Sequence, residues 1–126
     1  MTVKPVRLQL SRKKGFNLQE HSKAVNGLEA VNCARPSRFG NPFTKADAVE
    51  VGYSGDNKFL ANTFWYWIHG DDKFWIGMAS RKARKIIWEN MDNLTGKNLA
   101  CWCKPDAPCH ADVLLELANK DNPNDR

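Results

Sequence analysis

KNLACWCKPDAPCHADVLLELANK, residues 97–120, changes character twice in 24 positions. Its opening NLACWC is a short, nearly unbroken apolar run of the kind a fully buried strand uses. KPDAP has the proline and aspartate of a tight loop. From Cys109 onward, Ala111, Leu114, Leu117 and Ala118 recur at helical spacing, so the segment closes as a helix. Strand, tight loop and helix in succession are the unit from which α/β domains with parallel sheets are built. The same stretch gathers Cys101, Cys103, Cys109 and His110 within ten positions.

Working outward, VRLQLS (6–11) alternates Val6, Leu8 and Leu10 with polar residues and reads as a first, half-buried strand. RKKGFNLQEHSKAVNG (12–27) is polar and reads as irregular, with Asn26-Gly27 as a turn. LEAVNCA (28–34) reads as a second strand running into RPSRFGNPF (35–43), a loop stiffened by two prolines. In DNKFLANTFWYWIHG (56–70), Leu60, Phe64, Trp67 and Ile68 return at helical spacing, and Gly70 is a natural stop. ASRKARKIIWENM (79–91) supplies another helix, with Ala79, Ala83, Ile86 and Ile87 on one side and basic residues on the other. The expectation is one small α/β domain over residues 1–120, a short and mainly parallel sheet flanked by helices, with 121–126 a frayed tail.

A chain of 126 residues that is 42% hydrophobic, with five tryptophans, can bury one core. It has no apolar run long enough to cross a membrane and no leader-like apolar segment after its first residues, so the expected setting is the cytoplasm, with thiols kept free or given to a metal. The net charge of +5 is unevenly placed: Lys4, Arg7, Arg12, Lys13 and Lys14 precede the first acid, and RKARK (81–85) forms a second cluster. Such patches favour nucleotides or nucleic acid as partners, or are solvated faces. The aromatic stripe Phe64, Trp65, Tyr66 and Trp67 reads as packing, with base stacking as the alternative.

Ligands of α/β domains bind beyond the carboxyl ends of the strands, where RPSRFGNPF and CKPDAPCH both lie, so the two loops are expected to share one sheet edge. Cys101 and Cys103, two apart on a strand, project to one face. Cys101, Cys103, Cys109 and His110 make an accepted zinc set of three sulfurs and a nitrogen, but adjacent ligands at a helix start diverge, so Cys109 or His110 must adopt loop geometry to reach one ion. The alternative is catalytic: a helix start lowers a cysteine pKa, and His110 with Cys103 or Cys109 would supply proton transfer or a nucleophile. A third reading buries Cys101 and Cys103 as small core residues. In the first loop, Arg35 and Arg38 would hold phosphate, while Ser37 and Asn41 would orient the ligand.

ARPSRFGNPF and LTGKNLACWCKPDAPCHADVLLELAN together resemble a family of small phage and bacterial proteins catalogued as domain of unknown function 4326. The resemblance implies that Arg35, Ser37, Gly40, Asn41, Pro42 and Phe43 in one loop, and Cys101, Trp102, Cys103, Cys109, His110, Ala111 and Leu114 in the other, are signature positions. Cys33 falls outside that pattern and is assigned to the core. A phage setting would place the protein in the host cytoplasm. The leading expectation is a pocket for a phosphate-bearing ligand, nucleotide or nucleic acid, on which the protein could act enzymatically. One alternative is a zinc-stabilised nucleic-acid-binding module without catalysis. Another is an inhibitor that binds a host protein through Trp75 or Trp88.

Overall fold

The computed structural model describes residues 3–119; the tail 121–126 lies outside them. Three short strands, β1 (Arg7–Gln9), β2 (Ala30–Asn32) and β3 (Asn98–Cys101), form a parallel sheet in the order β1-β3-β2. Leu8 is in register with Ala100, and Val31 with Leu99. Every residue of the central β3 is buried, as its apolar run requires. Five helices surround the sheet: α1 (Leu18–Asn26), α2 (Lys45–Glu50), α3 (Asn57–Ile68), α4 (Met78–Glu89) and α5 (His110–Ala118), with a 3-10 turn at Met91–Leu94. The protein is thus a single α/β domain, and no described helix is long and apolar enough to cross a membrane.

The core is formed where α3 and α5 meet the sheet, with Phe64, Trp67, Ile68, Leu99, Ala111 and Leu114 nearly inaccessible. The helical spacing of α3 therefore reports packing, while Trp65 and Tyr66 lie on its exposed side. The stop falls just before Gly70, whose φ of 107° suits glycine. α4 is rotated relative to the expected stripe. Ile87 and Ser80 are buried and Ala79 is exposed, because the Trp67 indole N–H donates to Ser80 Oγ at 2.8 Å and draws that side inward. Within RKARK, Arg84 donates to Asp72 and to the Trp67 carbonyl, whereas Arg81, Lys82 and Lys85 face solvent.

Segment 12–27, expected to be irregular, contains α1. Asn17 caps it by accepting from the Glu20 N–H, and Gly27 ends it with a φ of 82°. Its inward contacts are polar. Gln19 accepts from the Ala30 N–H and donates to the Ala30 carbonyl, covering the free edge of β2. Ser22 and Asn26 meet Asn98, the first residue of β3, whose amide donates to both while its oxygen accepts from Asn26 and from the Val6 N–H. Asn98 is fully buried and fully satisfied, tying α1, β1 and β3 together.

Candidate metal centre

The loops after β2 and β3 do share an edge: Arg35, Asn41, Cys101, Trp102, Cys103, Cys109 and His110 line one cavity of about 230 Å³. Parallel strands place the exits of β2 and β3 on the same side, and Gly40 lets the first loop close on itself. A Cβ there would stand 2.8 Å from Arg35 Cγ and 2.9 Å from Arg35 Cα.

β3 ends at Cys101, and the chain turns sharply, leaving Trp102 exposed while bringing Cys103 back toward Cys101. Cys109 is the N-cap of α5, with φ −150° and ψ 147°, and its sulfur accepts from the Ala111 N–H at 3.5 Å. Cys109 is therefore extended and only His110 is helical, so the condition for two adjacent ligands to reach one ion is met. The sulfurs of Cys101, Cys103 and Cys109 all lie within 4.8 Å of one another, close enough to hold a metal ion.

His110 stands beside Cys109 but outside the group of three whose donor atoms all lie within 4.8 Å of one another. Its Nε2 lies 2.9 Å from the carbonyl oxygens of both Cys33 and Phe39, two acceptors that require a proton on that nitrogen. Nδ1 faces the cysteines and stands 3.7 Å from Cys109 Sγ. The ring is buried and packs edge-on to Phe64. A histidine fixed in this way by a backbone acceptor on its far nitrogen is oriented as metal-ligating histidines are. The same Nδ1 contact with Cys109 Sγ, at the wall of the cavity, also pairs the histidine with one of the two cysteines of the catalytic reading.

The thiols are strongly interdependent. Cys101 is held well below the usual thiol range because Cys103 and then Cys109 hydrogen-bond to its sulfur, which outweighs burial. Cys109 is raised, chiefly by its hydrogen bonds with Cys101 and Cys103, and Cys103 is raised chiefly by its bond with Cys101. Without a metal, the cluster thus concentrates negative charge on Cys101 and keeps protons on its two partners. Cys33 is separate: it is fully buried in the core, and burial first, then the Cys101 charge, push its thiol up to about 12.

The remaining expected site residues divide. Arg35 borders the cavity, with one guanidinium nitrogen donating to the carbonyls of Asn41 and Phe43. Asn41 also borders it, but its side chain is engaged, donating to the Leu60 carbonyl and accepting from the Phe43 N–H. Arg38 does not line the cavity; it reaches Asn90 at 2.9 Å. Ser37 is a turn residue whose hydroxyl accepts from the Phe39 N–H. Among the described residues, no carboxylate lines the cavity. Trp88 donates its indole N–H to the Ile68 carbonyl, and Trp75 stacks on Trp67, so both are tied to the fold.

Sequence reasoning missed Arg7 as part of the site. Assigned there to a basic surface patch, its side chain is only 9% exposed. Nε donates to Asp112 at 2.8 Å, and the other guanidinium nitrogens donate to the carbonyls of Cys103, Lys104, Pro105 and Ala107. The loop between Cys103 and Cys109 is thus wrapped around one arginine.

Fold and site together define a small parallel α/β domain carrying a cysteine-histidine cluster at the carboxyl edge of its sheet. The chain belongs to the family described as Domain of unknown function (DUF4326), whose model matches residues 16–120. No curated protein and no solved structure matches it.

Proposed function

We propose that the protein is a zinc-holding ligand-binding domain in which Cys101, Cys103, Cys109 and His110 grip one zinc ion and thereby clip β3 to α5. The observation that carries this reading is the meeting of three sulfurs within 4.8 Å of one another, with His110 Nδ1 3.7 Å from Cys109 Sγ. Tetrahedral zinc with bonds of about 2.3 Å to sulfur and 2.0–2.1 Å to nitrogen separates two sulfurs by roughly 3.8 Å and sulfur from nitrogen by roughly 3.5 Å; Cys109 Sγ and His110 Nδ1 stand 3.7 Å apart, and the three sulfurs lie within 4.8 Å of one another. Four protein ligands leave no open position, so the ion stabilises the loop and helix start instead of activating water. Elemental analysis of protein purified without a histidine tag tests this. One zinc per chain, lost together with the fold on chelation, is expected; metal-free protein that is equally stable would refute it.

The cleft beside the cluster suits a phosphate-bearing small ligand. Arg35 supports this reading, since it is exposed at the cavity and its guanidinium donates to only two carbonyls among the described residues, leaving donors for an anion. Trp102, 42% exposed, offers a face on the opposite loop. Binding of nucleoside phosphates should weaken about tenfold in Arg35→Ala with little change in unfolding temperature. Retained affinity would remove Arg35 from the site.

A further inference from the structure

Another cavity among the described residues, about 440 Å³ and larger than the cleft, lies away from the cysteines, between α2, α3 and the segment 71–77, and shares only Phe43 and Leu60 with the cleft. We propose that it is a binding site for a planar heteroaromatic molecule of nucleobase size. The proposal rests on neither the metal nor Arg35.

Three observations carry it. The walls are aromatic: Tyr53 and Phe59 are stacked at 5.1 Å and 17°, and Phe74 meets both edge-on. Phe43 and Trp75 also line the cavity, edge-on to each other at 6.4 Å. A lining so rich in aromatic rings suits a flat aromatic guest better than an aliphatic one. The volume lies within the roughly 300–1,000 Å³ usual for small-molecule sites.

Thr63 is the second observation. It is only 4% exposed, it borders the cavity, and its hydroxyl makes no hydrogen bond among the described residues. No fully enclosed side-chain polar atom in the described structure lacks a partner, so this hydroxyl keeps some access to open space, and the cavity is the space that Thr63 borders. A buried hydroxyl left free there calls for a guest with a donor or acceptor on its edge. The third observation is Asp47, whose carboxylate stands at the exposed rim without a hydrogen bond or ion pair among the described residues. A ring carrying N–H donors, as nucleobases do, satisfies both groups; a purely apolar guest satisfies neither.

Ligand-detected saturation-transfer NMR with adenosine, guanosine, cytidine and uridine tests the site, since nucleosides lack the phosphate that Arg35 would engage. At least one should bind saturably, and Thr63→Val, which removes the hydroxyl at nearly constant shape, should weaken it about tenfold without lowering the unfolding temperature. Phe74→Ala should weaken it as well. The proposal is overturned if none of the four binds saturably, if Thr63→Val binds as well as the unmodified protein, or if Phe74→Ala alters only self-association, which would make the region a protein contact surface.

Discussion

Arg7 and Asp112, 105 positions apart in the chain, are joined at 2.8 Å, and the same guanidinium gathers four carbonyls of the loop between the cysteines. The pairing fixes the start of α5 relative to β1, and with it the position of Cys109. Arg7→Met keeps much of the apolar stem but releases the loop, and should destabilise the fold by about 1–3 kcal/mol. It should also weaken zinc binding in competition with a chromophoric chelator. Unchanged metal affinity would show that the loop holds its shape without the arginine.

Asn98 offers a stability test remote from the cluster. Asn98→Leu leaves the Asn26 amide and the Val6 N–H without their buried partner, so denaturant unfolding should show a loss of about 2–3 kcal/mol. A loss of only a few tenths would mean that α1 is not secured through this residue.

Cys33 should limit stability at alkaline pH. Its folded-state pKa is raised from 9.0 to about 12, so the native state keeps a proton that the unfolded chain gives up. The contribution is fully present below pH 9 and is lost as pH rises toward 12, with a slope of about 1.4 kcal/mol per unit. Cys33→Ala should flatten this decline, as judged by chemical denaturation at pH 8, 9 and 10. A decline of equal slope in the variant would assign the sensitivity elsewhere.

Zinc binding should release protons. Cys103 and Cys109 hold theirs more tightly than ordinary thiols, and a metal ligand must be a thiolate. Apparent affinity should therefore rise with pH. Calorimetry in buffers of different ionisation enthalpy should report more than one proton released per zinc near neutral pH. Release of none would mean that Cys103 and Cys109 are not ligands.

The parallel arrangement was legible in the sequence because β3 is a continuous apolar run and α5 follows it with a clear helical stripe. The convergence of Arg35 with His110 followed from that topology alone. α1 was not legible, since Gln19, Ser22 and Asn26 make its inward contacts through polar atoms and leave no apolar period to read. Asn17 and Gly27 were the available signals. α2 was signalled only by Thr44 and Asp47, the two ends of a short capping pattern. Arg7 was hidden because an outward-facing arginine on a half-buried strand looks solvated until the loop that folds over it is known. Whether Cys109 and His110 could serve one ion turned on the backbone torsions of Cys109, which spacing does not encode.

X-ray absorption at the zinc edge tests the central claim most directly, because it counts the donor atoms themselves. One zinc with three sulfurs at about 2.3 Å and one nitrogen at about 2.0–2.1 Å is expected, converting in His110→Ala to a shell without that nitrogen or to loss of the metal. A shell of four sulfurs, one dominated by oxygen and nitrogen, or an identical spectrum from His110→Ala would contradict it.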